Sequence, residues 1–209
     1  MDLVTPKAFG HTIQTRTLEE AGAPEPFEGA ECIKTLGIRP NEPTDRTFFL
    51  SVLSPRRSND PRKLKTEQLA GENVSSVRIL QGQVEDVVAF ALQEPEGKAG
   101  GIEFVGRTAF VRRQDGQITC AALHNGQRLS LDGQCLFETD GCGHAVLRYH
   151  EDAVDVTLDL YGCSRVRLLT SGPPTTVRVD GNKREFEFDV DTQTVRVDLH
   201  GGREVRIIA

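Results

Sequence analysis

The strict alternation of apolar and polar residues in the last third of this chain constrains its fold more than any other feature. Between Glu151 and Tyr161, the residues Val154, Val156, Leu158 and Leu160 fall on one parity, while Asp155, Thr157 and Asp159 fall on the other. From Arg184 to Val190, Phe186, Phe188 and Val190 oppose Glu185, Glu187 and Asp189. From Thr194 to His200, Val195, Val197 and Leu199 oppose Arg196 and Asp198. A period of two across successive segments predicts antiparallel sheet with one wet face. The stretches Val74 to Leu80, Val84 to Leu92, Ile102 to Val111 and Gln117 to Leu123 are also of strand length.

The punctuation agrees with this reading. Asp115-Gly116, Asn125-Gly126, Asp132-Gly133, Asp140-Gly141 and Asp180-Gly181 are Asx-Gly pairs. Glycine takes positive φ without a steric penalty and Asn or Asp tolerates it, so each pair is expected to form a tight hairpin turn. No window supports an amphipathic helix, and no repeating motif suggests a propeller or solenoid. The expected fold is all-β: an antiparallel β-sandwich of two packed sheets with about a dozen or more strands.

Residues 1–46 differ in character. They carry five prolines and little periodicity, with extended stretches expected from His11 to Thr17 and from Cys32 to Ile38. They are read as an irregular N-terminal segment packing on a sandwich domain of residues 47–209, which opens with the apolar run Thr47 to Leu53. Arg56 to Lys65, bounded by Pro55 and interrupted by Pro61, is the one basic cluster and reads as an exposed loop.

Charge and chemistry narrow the function. With 25 Lys and Arg against 31 Asp and Glu, the net charge of −6 argues against general affinity for nucleic acid. No run reaches the length of an apolar membrane-spanning helix, so no membrane partner is expected. The first twenty residues contain no apolar signal-peptide core, which leads us to expect a cytoplasmic protein if the chain is complete. The five cysteines lack C-x-x-C spacing and read as reduced, half-buried residues, although one internal disulfide stays open. His144 and His150 match no established zinc spacing, so neither metal nor cofactor is expected.

Nucleophile elbows, Walker loops and dinucleotide-binding glycine patterns are absent. Asp155 and Asp159 share a strand face about 13 Å apart, beyond the carboxyl spacing of either glycosidase class. They are expected to pair with arginines on neighbouring strands, among Arg167, Arg178, Arg196 and Arg206. His11 is the one weak catalytic candidate, because it lies in a polar, non-repetitive segment of the kind that often positions functional groups.

Four segments then carry a resemblance: Phe48 to Pro55, His124 to Gly133, Val177 to Gly181 and Gly201 to Ile207. In that order they resemble the carboxy-terminal β-sandwich of the heparinase II/III-like polysaccharide lyases, over roughly residues 30–209. The resemblance implies a catalytic helical toroid that supplies the proton-transferring tyrosine and histidine. Nothing in these 209 residues reads as that toroid. His11 matches no motif position of that family and keeps only its local reading.

The expected function is therefore that of a non-catalytic module. It supports or lines a cleft for an acidic, uronate-containing polysaccharide, within a protein whose parent family would be a lyase. Arg56, Arg57, Arg62 and Lys63 are the expected ligand contacts, because guanidinium can bind carboxylate or sulfate bidentately. The alternative is a structural or protein-interaction β-domain with no sugar ligand. The absence of Trp and the presence of only Tyr149 and Tyr161 weaken autonomous sugar binding.

Overall fold

The computed structural model describes residues 64–162, 165–199, 201 and 203–209 in full, and before them the backbone of four strands. The chain divides into two units, Met1–Arg56 and Arg57–Ala209. In the first, β1 (Asp2–Val4) pairs with β4 (Val52–Ser54), and β2 (His11–Thr17) pairs with β3 (Lys34–Pro40). Both pairs are antiparallel, and β2 covers the stretch expected to be extended.

The second unit is built from sixteen strands. They are β5 (Lys65–Gln68), β6 (Gly71–Glu72), β7 (Val74–Gln81), β8 (Val84–Ala91), β9 (Glu96–Ala99), β10 (Ile102–Val105), β11 (Thr108–Gln114) and β12 (Gln117–Leu131). There follow β13 (Gln134–Tyr149), β14 (Ala153–Tyr161), β15 (Arg165–Leu169), β16 (Thr176–Val179), β17 (Asn182–Arg184), β18 (Phe186–Asp189), β19 (Thr194–Asp198) and β20 (Glu204–Ile208). Every pairing is antiparallel, and the fold is an all-β sandwich.

Two long strands create the two layers. The first half of β12 pairs with β11, and its second half pairs with β10. Likewise β13 pairs with β15 through Phe137–Thr139 and with β14 through Cys142–Tyr149. The β12–β13 hairpin is thus shared between the sheets. The first sheet runs β5-β7-β8-β11-β12-β13-β14-β20-β16-β17, and the second β6-β9-β10-β12-β13-β15-β19-β18.

The crossing point corrects two turn expectations. Asp115-Gly116, Asp132-Gly133 and Asp180-Gly181 do form tight turns, with φ of 53° and 79°, 51° and 82°, and 48° and 77°. Asn125-Gly126 and Asp140-Gly141 instead lie inside β12 and β13, where the register slips around the Gly126–Gly143 pair. A Cβ on Gly126 would meet the Val105 carbonyl and lie 2.7 Å from the Gly106 Cα. These positions are bulges where the hairpin passes between sheets, a role that local residue preference alone does not separate from a turn. The expected strand from Ile102 to Val111 is likewise two strands, broken at Gly106-Arg107.

The core lies between the sheets. On the second sheet, Phe104, Leu129, Phe137, Leu168 and Val195 form one transverse row, all buried. On the first, Val87, Val111, Ala121, Leu147, Val156, Val205 and Val179 form another. Small residues on one sheet, Ala89, Ala109, Ala121 and Ala145, share a single apolar cluster with the bulky residues of the other. Alternating large and small residues in this way fills the interlayer space at crystal-like density.

Candidate functional site

The inward parity of the first sheet determines what its outer face presents. Because Val87, Val111, Ala121, Leu147, Val156 and Val205 point inward, their neighbours in sequence point out. Strand register then brings outward residues that are distant in sequence into one line: Asp86, Arg112, Cys120, Arg148, Asp155, Arg206, Arg178 and Lys183. The line crosses eight strands, roughly 34 Å at the usual strand spacing. It holds five cations and two carboxylates, on a chain whose net charge is −6.

Both carboxylates of the row are paired. Asp86 binds Arg112 bidentately, with both N–H···O distances 2.7 Å. The guanidinium of Arg112 also lies 5.8 Å from the centroid of the Phe110 ring. Asp155 is bridged by Arg206 Nε at 3.6 Å and by His150 Nε2 at 3.2 Å. Arg178 donates to the Gly181 carbonyl at 3.1 Å. Among the described residues, no carboxylate lies within ion-pair distance of Arg148, Arg178 or Lys183. A hollow of about 360 Å³ lies in the row, bordered by Asp155, Arg178, Glu204 and Arg206.

Beside the cations runs an apolar line on the same face. Val88, Phe110, Ala122 and Val146 are in register and only half-buried, and Phe90 in the next line is 38% exposed. His124 and His144, at its edge, stack with ring centroids 4.2 Å apart. The Asn125 amide donates to His144 Nδ1 at 3.3 Å, which engages the lone pair that a metal would otherwise use. Among the described residues, no group of three or more His, Cys, Asp or Glu side chains is placed to hold a metal ion.

A second concavity, about 630 Å³, opens at the end of the sandwich opposite the crossing point. Both sheets line it: Arg113, Gln117, Ile118, Thr119, Tyr149, His150 and Glu151 from the first, and Leu131, Asp132, Gln134, Leu169, Thr170 and Ser171 from the second. Arg113 is ion-paired with Asp132 across the opening. The hydroxyls of Tyr149 and Thr119 are shielded from solvent and have no hydrogen-bond partner among the described residues. Burial pushes the Tyr149 phenol well above the usual tyrosine range, with like-signed contributions from Cys135 and Cys120.

The residues singled out from sequence fare differently. Arg56, Arg57, Arg62 and Lys63 lie outside the described residues, as do Cys32, Cys163 and His200. His11 begins β2, opposite Pro40. Lys65, the last of the basic cluster, begins strand β5 and does not belong to a loop. Of the expected carboxylate–arginine pairs, Asp155 meets Arg206, while Arg167 meets Glu138 at 2.8 Å. Asp159 stands opposite His144. Cys120, Cys135 and Cys142 are free thiols, and burial raises the pKa of the first two. The cation row was hidden in sequence because its members are 112, 148, 178, 183 and 206, which only strand register brings together. Outward parity is the signal that could mark each of them, although it does not order them.

No protein-family model matches the chain, and no curated protein matches it either.

Proposed function

We propose that this chain is a non-catalytic β-sandwich module whose first-sheet outer face carries an acidic, uronate-containing polysaccharide. The observation behind this reading is the row of Arg112, Arg148, Arg206, Arg178 and Lys183 on adjacent strands. A linear polyanion needs cations arranged in a line, and three of these five have no carboxylate partner among the described residues. Guanidinium groups suit carboxylates and sulfates because their fork of donors matches two acceptor oxygens. The apolar line of Val88, Phe110, Ala122 and Val146 beside them suits the C–H faces of sugar rings. A helical toroid domain elsewhere in the parent protein belongs to the same reading and would supply the chemistry.

Affinity electrophoresis tests it with alginate and with neutral dextran of similar length. The chain should be retarded by alginate, less so as salt rises, and not by dextran. Replacing Arg148, Arg178 and Arg206 together by Gln should weaken retardation about tenfold, given about 0.2–1 kcal/mol for each exposed ionic contact. Equal retardation in both polymers, or no loss in the triple variant, would remove the polysaccharide from the reading. A steady rise in ultraviolet absorbance from unsaturated uronate, surviving repurification, would make the chain a lyase in its own right.

One observation favours a second reading. Phe90, Val88, Phe110 and Val146 leave apolar surface on an outer sheet face, which suits a structural or protein-interaction β-domain without a sugar ligand. Binding to a protein partner that is insensitive to salt and blocked by Phe90→Ser would favour it.

A further inference from the structure

The cations of the outer row are regularly spaced. Counted across the first sheet, the strands that carry the row follow the order β8-β11-β12-β13-β14-β20-β16-β17. Register places Arg112, Arg148, Arg206 and Lys183 on β11, β13, β20 and β17, the second, fourth, sixth and eighth of these strands. A positive charge therefore recurs on every second strand. Its period is about 9.6 Å, twice the usual strand spacing, and it holds over roughly 29 Å.

The strands between carry a different set: Asp86, Cys120, Asp155 and Arg178 on β8, β12, β14 and β16. The two aspartates occupy equivalent places four strands apart, each one strand before an arginine. Asp86 meets Arg112 Nε at 2.7 Å, and Asp155 meets Arg206 Nε at 3.6 Å. A guanidinium held on its Nε side keeps further N–H donors for a second acceptor, and both arginine side chains stay well exposed. The same aspartates repel a carboxylate brought to their own strands, which is how a surface rejects the wrong charge pattern. Arg178, the one cation out of step, donates to the Gly181 carbonyl in its own turn.

A linear uronan laid along this row is attracted at every second strand and repelled at two of the four strands between. The chain that fits turns one carboxylate towards the protein for every two sugars. Linkage decides this. In a 1,4-linked chain whose glycosidic bonds are equatorial, each ring is turned over relative to the last, so carboxylates alternate between the two sides of a flat ribbon. The two-ring repeat of such a ribbon is close to two strand spacings. Axial linkages coil the chain, shorten its repeat and take the carboxylates out of line. Resting on the proposed function for the polyanion itself, we infer that the outer row selects a β-1,4-linked polyuronate in its flat, two-fold form, with Arg112, Arg148, Arg206 and Lys183 each taking the carboxylate of every second ring.

Two polymers of equal charge separate linkage from charge. Fully oxidised cellulose is a β-1,4-polyglucuronate, and polygalacturonate is α-1,4-linked with the same single carboxylate per sugar. In affinity electrophoresis the full chain should bind polyglucuronate at least tenfold more tightly than polygalacturonate of similar length. Arg148→Gln and Lys183→Gln should each weaken polyglucuronate binding about two- to fivefold, the range for one exposed ionic contact. Arg196→Gln makes the same change of charge on the outer face of the second sheet, and should leave that binding unchanged. Equal affinity for the two polymers, or tighter binding of polygalacturonate, would overturn the selection by linkage while leaving the row a site for acidic polysaccharide. Arg196→Gln weakening binding as much as Lys183→Gln would also overturn it, because the polymer would then be responding to total charge. Retention by neither polymer would remove the polysaccharide from the row altogether, and the linkage preference with it.

Discussion

Arg178 on β16 stands directly opposite Arg206 on β20, and Lys183 on β17 stands opposite Arg178 in turn. Like charges facing each other across a strand pair oppose sheet formation. Asp155 offsets the charge of Arg206, but Arg178 turns to the Gly181 carbonyl. A sheet that keeps three cations in line at its edge departs from the usual alternation of sign, and such departures are expected where surface chemistry serves a ligand.

The first prediction is therefore that neutralising Arg178 does not weaken the fold. Arg178→Gln should leave unfolding free energy within about 0.5 kcal/mol of the parent, or raise it slightly, because it removes repulsion at an exposed site. Urea unfolding with a two-state fit measures this. A loss above roughly 1 kcal/mol would assign the guanidinium a structural task, such as holding the β16–β17 turn through Gly181.

The second prediction concerns the crossing of β12 between the sheets. Gly126→Ala places a methyl against the Val105 carbonyl and 2.7 Å from the Gly106 Cα, all backbone, so the strands must separate. We expect destabilisation of about 1–3 kcal/mol, the range for overpacking a close-packed interior. Gly172→Ala is the control, because its added carbon meets nothing within 4 Å. That variant should stay within about 0.5 kcal/mol of the parent. Equal midpoints for the two variants in urea would mean that the hairpin yields at the crossing without cost.

The same glycine shows how far the sequence could be read. Alternation from Val154 to Leu160 identified β14 and its buried face, since side-chain parity is a local property. Asn125-Gly126 resembles a turn in sequence because Asn125 does take a positive φ, 51°, as a turn residue would. What separates a bulge from a turn is whether the chain continues to a new partner, here from β11 to β10, and that is decided by contacts elsewhere in the chain. Val190, expected on the apolar face with Phe186 and Phe188, is 68% exposed because β18 ends at Asp189. The Tyr149 cleft was invisible for the same reason. Its walls at Thr119, Asp132, Tyr149 and Thr170 meet only because both long strands double back to one end of the sandwich.

The third prediction is a pH dependence at the β16–β17 turn. Asp180 accepts hydrogen bonds from the backbone amides of Glu204 at 2.9 Å and Arg203 at 3.0 Å. These bonds favour the charged carboxylate and hold its pKa below the usual aspartate range. A depressed folded-state pKa stabilises the fold above the unfolded value, about 3.9. That stability is lost as pH falls through the lower folded value. Asp180→Asn keeps an oxygen acceptor and the tolerance for positive φ while removing the titration. Its stability should fall less steeply than the parent's from pH 4 towards pH 2. Identical acid slopes in the two proteins would show that the carboxylate is not held by these amides.

The fourth prediction follows from the buried phenol at the other end of the sandwich. Tyr149 is shielded, its hydroxyl has no partner among the described residues, and burial raises its pKa above the ordinary value of 10.0. The sign is opposite to that of Asp180 at the other end of the scale. In the unfolded chain the phenol ionises near pH 10, whereas in the fold it stays neutral well above that. Stability from this group is complete below about pH 10 and is lost as pH rises from there towards the folded value. Alkaline unfolding of the Tyr161→Phe variant should therefore coincide with the appearance of tyrosinate absorbance, because Tyr149 ionises as the structure opens. Tyr149→Phe removes the group with little change in shape, so its stability at neutral pH should hold or improve once an unpaired buried hydroxyl is gone. Its alkaline limb should also be shallower than the parent's. Reversible appearance of tyrosinate near pH 10 with the fold intact would show that the hydroxyl reaches solvent, and the burial assigned to it would be wrong.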